Sequence, residues 1–359
     1  MKKSFARKLG VITLVTLSAG LLTACDPPPP PELLAQLSEQ NPTCIEGDVQ
    51  ASGTPSFDAV LTAWADGAVN TCVDPLPAMS LSSAADVSTA QLVYSADPLT
   101  SGSAFASVPV AMDAAVLSYN VPNMDSILVS YKTLAGILGG KVTNWNDAAI
   151  AKDNPGMELP DLPLSVRSTA ETNSLKAIEI LLGNQGLKID TAKFTAVSMA
   201  DFQSPELAPG ELVIQPNSLA ILQGSTTLGF LTGGKDPETG ELNQAYANEE
   251  SLSSAATQLV ATKNGNVLDV VLDPKLEPKP LFEGEKAATP YQAVFPIRMY
   301  LVGEDSQLTR AMAMFTLRMD SQGSLGYANL GALPEIIRVE AIGIVSKGLP
   351  TPEVTQKPE

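Results

Sequence analysis

The chain has 359 residues, 44% of them hydrophobic and 17% charged, which is enough to bury two cores of ordinary size in a globular protein. Its formal charge of −17 argues against a nucleic-acid partner, whose backbone is gripped by clustered Lys and Arg. It contains no histidine, so imidazole-ligated zinc and histidine-activated nucleophiles are excluded, while carboxylate chemistry stays open.

The first 25 residues, MKKSFARKLGVITLVTLSAGLLTAC, open on Lys2, Lys3, Arg7 and Lys8, run through an apolar stretch and close on small residues. This is the pattern of a secretion signal rather than a membrane-spanning helix. The Leu22–Cys25 tetrapeptide LTAC looks like a bacterial lipobox. Cleavage there would make residues 1–24 a signal peptide and Cys25 a lipid attachment point. The alternative is a secreted protein with Cys25 free or paired. From Asp26 the sequence DPPPPPE reads as a stiff polyproline stretch, so residues 25–43 are expected to form a lipid-anchored spacer. Export implies an oxidising setting, in which pairing of Cys44 with Cys72 is the economical reading. Cys44 directly precedes the first predicted strand and Cys72 closes the connection toward the second, near the same sheet edge. Closing a loop of about 27 residues stabilises by on the order of 3 kcal/mol in the chain-entropy model. Two free buried thiols are the alternative.

After Cys44 the periodicity predicts a strand ending near Gln50, a polar turn containing Thr54 and Ser56, and a helix with Phe57, Val60, Leu61 and Trp64 on one stripe. QLVYSADPL and VPVAMDAAVLSYNVP read as buried strands, and YKTLAGILGGKVTNWNDAAIA as two short helices around a glycine turn. LPLSVRSTAETNSLKAIEILL, Leu162 to Leu182, reads as strand, polar turn and amphipathic helix. Such a helix start offers unpaired N–H groups and the positive end of the macrodipole to an anion. LVIQ and TTLGFL are expected strands, Asn248 to Ala261 a polar helix, AVFPIRMYLV a late strand, and QLTRAMAMFTLRMDSQGSLGYANL a helix with a glycine-containing continuation. Alternating strands and helices imply an α/β fold with largely parallel sheets. Residues 348–359 read as a disordered tail.

The segment TLAGILGGKVTNWNDAAIAKDNPGMELPDLPLSV, Thr133 to Val166, resembles the phosphate-binding proteins of bacterial ABC importers, the PstS family, almost residue for residue. Weaker correspondences run through YSADPL, TTLGFL, FPIRMYLV and GSLGYANLGALPE. The resemblance implies a two-lobe type II periplasmic-binding-protein fold with a hinge-linked cleft that clamps the ligand. Lobe 1 would be discontinuous, residues 44–118 and 291–347, and lobe 2 would be residues 119–290. The NWND turn with Trp145 is expected to cap and pack a helix, with Asn144 or Asp147 as the cap.

Family members bind phosphate through backbone N–H groups, Ser and Thr hydroxyls, one Arg and one Asp that accepts a hydrogen bond from the protonated anion. The resemblance places Asp97 at that aspartate and Arg167 at that arginine; an Arg facing an anion makes bidentate, charge-assisted contacts. The competing readings are a turn residue before Pro98 for Asp97 and an ion pair for Arg167. The family's RSDGSGTT is here RSTAETNS, Arg167 to Ser174. Asn173 and Ser174 keep donor capacity, as do Thr54 and Ser56 in the first turn. The glycine-rich loop of lobe 1 is missing, and AMSLSSAADV offers Ser82 or Ser83 in its place.

Glu171 stands where the family has a donating Ser. A carboxylate about 4 Å from a phosphate dianion costs a few kcal/mol per unit charge at an effective dielectric near 20. Three readings stay open: Glu171 points out of the cleft, it fills the anion cradle itself, or it recognises a ligand with a donor or positive group. The resemblance implies an extracytoplasmic, lipid-anchored, monomeric solute-binding protein that takes phosphate or a related small anion to ABC permease subunits. The alternative is a degenerate binding-fold lipoprotein acting as sensor, scaffold or surface partner. An enzyme using Asp97 and Glu171 as a carboxylate pair is a distant third, because no nucleophile motif, metal cluster or cofactor loop accompanies them. No cofactor, metal or nucleic acid is expected.

Overall fold

The computed structural model describes residues 30–54, 57–99, 102–169, 172–190, 195–197, 207–236, 239–280 and 284–351. In chain order, α1 is Pro31–Gln40, β1 Gly47–Gly53, α2 Asp58–Thr71, β2 Met79–Ser83, β3 Leu92–Ser95 and β4 Ala104–Tyr119. Next come β5 (Leu128–Ser130), α3 (Tyr131–Leu138), α4 (Ala148–Asp153), β6 (Ser165–Thr169), α5 (Thr172–Asn184), β7 (Thr195–Val197), β8 (Glu211–Pro216) and α6 (Asn217–Leu222). The remainder is β9 (Gly229–Lys235), β10 (Leu242–Ala245), α7 (Glu249–Ala256), β11 (Leu259–Asn264), β12 (Val267–Leu272), β13 (Val294–Val302), α8 (Gln307–Thr316), α9 (Met319–Gly323) and α10 (Glu335–Val345).

The main sheet runs β2-β1-β3-β13-β4-β8-β6-β7, and β10-β9-β5 form a small second sheet. β1, β2 and β3 are mutually parallel, as are β6, β7 and β8. The expectation of largely parallel sheets therefore holds for these two groups of strands and fails at the centre, where β13 is antiparallel to β3 and β4, and β4 to β8, and in the antiparallel pairs β9–β10 and β11–β12. The first part of the long β4 pairs with β13 through Ala114, and its last part pairs with β8 from Ala115 to Tyr119.

Two hydrophobic cores divide at this point. On β4, Met112 belongs to the first core and Ala114 to the second; on β13, Ile297 belongs to the first and Phe295 to the second. In the first core, Val60, Leu61, Trp64 and Ala68 form the buried stripe of α2, and Phe57 stacks on Tyr94 at 5.0 Å between ring centroids. In the second, Phe230 stacks on Tyr291 at 5.0 Å. Between the cores sits the buried Asp113, whose carboxylate accepts the backbone N–H and the hydroxyl of Ser218 at the start of α6, at 3.1 and 2.5 Å. The crossing strand thus holds a helix of the second half by its N-terminus.

Three expectations need correction. The spacer predicted through residue 43 stops short, because Pro31 begins α1, which buries Ala35 and Leu37. Pro at the first helical position is pre-organised for helix, and α1 is tied down by Arg338, which is 4% exposed and pairs with Glu39 at 2.8 Å. The helix predicted from Asn248 to Ala261 ends at Ala256, and residues 259–272 form an antiparallel hairpin about Gly265 (φ 63°) and Asn266. A two-residue Gly-Asn loop, Gly265-Asn266, with a Val-rich strand after it is a hairpin signal that outweighs a helical one. That hairpin also falls within the range expected for the second lobe, yet its Leu268 and Val270 sit in the first core.

The NWND turn is structural, as expected. Trp145 is fully buried with its indole N–H donating to Gly210 O at 3.0 Å, and Asp147 caps α4 by accepting from Ala149 N. Cys44 and Cys72 are joined by a disulfide, with Cα atoms 5.6 Å apart.

Candidate functional site

In open α/β sheets ligands bind beyond the carboxyl ends of parallel strands, where neighbouring connections diverge. Here those ends are Gly53 of β1, Ser83 of β2, Ser95 of β3 and Thr169 of β6. Thr54 follows β1 directly. Gly53 is required at that corner, since a Cβ there would lie 2.9 Å from Phe57 Cβ, so the chain turns tightly into α2.

Thr54 and Asp97 line a shared cleft of about 280 Å³ together with Ser52, Ser95 and Tyr94. The turn carrying Asp97 is held locally: Asp97 N donates to Ser95 Oγ at 3.0 Å, and the Tyr300 hydroxyl donates to Asp97 O at 3.4 Å. Burial raises the Tyr300 phenol, the Arg298 guanidinium opposes this, and the carboxylates of Asp97 and Asp269 add to the rise. Tyr300 therefore remains a protonated donor at neutral pH.

From the second half, the first residues of the 13-residue α5 reach this carboxylate directly. Thr172 Oγ1 donates to Asp97 Oδ1 at 2.5 Å and Asn173 Nδ2 donates to the same oxygen at 2.6 Å. Asp97 follows β3 of the first core, whereas α5 buries Ala177, Ile178, Leu181 and Leu182 in the second. The carboxylate thus joins the two halves through charge-assisted hydrogen bonds to a positive helix end.

The remaining predicted residues are placed as follows. Ser174 is fully buried on the core-facing stripe of α5. Ser83 is exposed at the end of β2, and Ser82 accepts from Gln50 and donates to Asp48 at 2.5 Å on the outer face of the sheet. Arg167 forms an ion pair with Glu211 on the adjacent β8, Nη2 to Oε2 2.6 Å. Glu211 also accepts from Ala208 N at 2.8 Å, while Arg167 Nε is buried without a partner among the described residues. The guanidinium is thereby held beside the start of β8, since Ser165 at the head of β6 is in register with Glu211. Ser56, Glu171 and Cys25 lie outside the described residues. Thr172, which stands at the second glycine of the family's RSDGSGTT, is a direct partner of Asp97 that no local sequence signal marked.

Among the described residues no group of three or more His, Cys, Asp or Glu side chains is arranged to hold a metal, and no helix is long and apolar enough to cross a membrane.

Two α/β halves, strands crossing between them and a contact between the halves at the sheet ends define the class: a type II periplasmic-binding-protein fold. The chain belongs to the PBP superfamily, whose domain model matches residues 38–318. It is 34% identical over 73 residues to the phosphate-binding protein PstS 3 of Mycobacterium leprae, a match that spans 20% of either chain. Among solved structures it is similar in fold to a high-affinity periplasmic phosphate-binding protein solved with phosphate (11% identity, TM-score 0.52, covering 83% of this chain and 93% of the other). The phosphate-binding protein from Stenotrophomonas maltophilia is comparable (11% identity, TM-score 0.51, 83% and 94%), as is an ancestral soluble variant of the human phosphate binding protein (12%, 0.51, 82% and 93%).

Proposed function

We propose that the protein is an extracytoplasmic solute-binding protein that takes phosphate, or a related small anion carrying a proton, into the cleft between Asp97 and the N-terminus of α5. The observation that carries this reading is the pair of hydrogen bonds from Thr172 and Asn173 of the second half to Asp97 of the first. An anion with one protonated oxygen can enter between these partners. It donates to Asp97 and accepts from Thr172, Asn173 and the helix N–H groups, replacing each bond that it breaks. A fully ionised oxyanion has no proton to give to Asp97 and meets only its charge.

The similarity to phosphate-binding relatives supports the ligand class, and the lipobox at Cys25 supports anchoring at the outer membrane face. Delivery to ABC permease subunits follows from the same reading, with the protein acting as a monomer. A second reading, a degenerate binding fold that serves as sensor or scaffold, is favoured by the Arg167–Glu211 pair, which engages the one guanidinium expected at the anion.

Calorimetric titration of the purified protein, freed of bound ligand, with phosphate and with sulfate tests the proposal, alongside a Glu171→Ser variant. Saturable binding of phosphate and none of sulfate is expected for the unmodified chain. Binding by the variant alone would mean that Glu171 blocks an inherited site, and binding by neither would favour the second reading.

A further inference from the structure

The two crossing strands of the main sheet change halves at the same rung. Met112 of the first core is in register with Pro296, which stands between Ile297 of the first core and Phe295 of the second. That rung has no ladder bond of its own. Met112 exchanges both of its backbone hydrogen bonds with Gly331, at 2.8 and 2.9 Å, and Pro296 has no N–H to donate. One step along β13 the register shifts between Ile297 and Arg298, an irregularity of the kind that bends a strand. The chain also passes between the halves at the base of the β11–β12 hairpin, where Asp273 N donates to Gln258 O at 2.9 Å, so it leaves and returns at one place.

The residues on either side of the step from Met112 to Asp113 are held by different halves. Met112 is bonded to Gly331, beside Leu330 of the first core. Asp113, 6% exposed, accepts from N and Oγ of Ser218 at 3.1 and 2.5 Å, and Ser218 stands on α6, whose Ala220 lies in the second core. A rotation between two packed bodies is absorbed by the few backbone positions that neither body holds. On β4 that leaves the single step between Met112 and Asp113, and on β13 the position of Pro296 opposite it.

We propose that the halves turn about the Met112–Pro296 rung, and that Asp113 is a positioning residue whose bonds to Ser218 confine the rotation to that step and so govern how readily Asp97 and α5 meet. The inference rests on the reading of the site as an anion cleft between the halves. Without the Asp113–Ser218 bonds, arrangements with the halves apart gain conformational freedom, while the contact of Asp97 with Thr172 and Asn173 still restrains the closed one. The population therefore shifts toward open, and apparent affinity falls with the fraction that stays closed.

Small-angle X-ray scattering of the purified, ligand-free protein, paired with calorimetric titration with phosphate, tests this. Ser218→Ala should raise the radius of gyration above that of the unmodified chain and weaken phosphate about threefold to tenfold, the value of one hydrogen bond. Asp113→Asn, the same in shape but without the charge, should shift both in the same direction. Ser130→Ala removes a comparable bond, from Thr133 N at 3.2 Å, at the start of α3 within the second half, and should change neither. Unmodified scattering and affinity in either folded junction variant, or the same shifts in Ser130→Ala, would overturn the proposal. Failure of the unmodified chain to bind phosphate would overturn the ligand reading instead, and the ligand-free scattering would still decide the pivot.

Discussion

Asn173 Nδ2 donates to Asp97 Oδ1 at 2.6 Å although the two residues lie 76 apart in sequence. One follows a strand of the first core and the other begins a helix of the second, so this bond reports directly on how the halves meet. It also fixes what an incoming ligand has to displace: a carboxylate already engaged by donors, at the positive end of a helix.

Replacing Asp97 by Asn should therefore change selectivity as well as affinity. The carboxamide keeps the size but loses the charge that accepts from a protonated anion. Phosphate affinity should fall by about tenfold to a hundredfold, the range for a hydrogen bond to a charged group, while sulfate binding should become detectable. Calorimetry on both anions measures the ratio; an unchanged preference would remove Asp97 from the recognition step.

The Arg167–Glu211 pair makes an opposed prediction for its two members. Both side chains are partly exposed, 30% and 20%, so loss of the pair should be modest for stability. Arg167→Met leaves Glu211 half-buried beside Ala208 N and should destabilise by about 1–2 kcal/mol after allowance for solvent screening. Glu211→Gln instead frees the guanidinium and should strengthen phosphate binding. Denaturant melts and titrations of the two variants distinguish these effects, and weaker binding in Glu211→Gln would show that the carboxylate orients Arg167 for the ligand.

Removing the Cys44–Cys72 bridge with a paired Ser substitution should lower stability by about 3 kcal/mol, from the loop entropy returned to the unfolded chain. Cys72 is 3% exposed, so reduction should require partial opening of the α2 terminus. Urea unfolding with and without reductant reads the difference, and overlapping curves would contradict it.

Acid should weaken the fold through Asp305 and Asp320. Hydrogen bonding to Arg310 holds the Asp305 carboxyl below its ordinary range, and hydrogen bonding to Arg318 does the same for Asp320 against the opposing effect of burial. Both folded-state values are depressed, so their stabilisation is fully present above the unfolded carboxylate value near 4 and is lost as pH falls through the lowered values. The aspartates themselves are largely exposed, which limits each contribution. Urea midpoints between about pH 5 and pH 2 should fall, and less steeply in an Asp305→Asn, Asp320→Asn double variant. An equal slope would assign the acid sensitivity elsewhere.

Much of the fold was legible because strand and helix periods are written into short segments: the α2 stripe of Val60, Leu61 and Trp64 is an example. The hairpin at Gly265 was missed because a polar run after Asn248 extends a helical pattern past the point where tertiary pairing takes over. At the site, Thr54 was readable as a residue of the turn between a strand and a helix, and Asp97 only through the family resemblance of YSADPL. Thr172 was not, because its role depends on the distance between two halves that no local pattern encodes. Arg167 shows the same limit: its partner Glu211 lies 44 residues away, and only the register of β6 against β8 brings them together.

The most direct test of the account is a crystal structure of the protein grown with phosphate. The anion is expected between Asp97 and the first turn of α5, within hydrogen-bond distance of Asp97 and Asn173, with the direct Asp97–Asn173 bond broken. Saturating phosphate that leaves this bond intact and the cleft without an anion would contradict it.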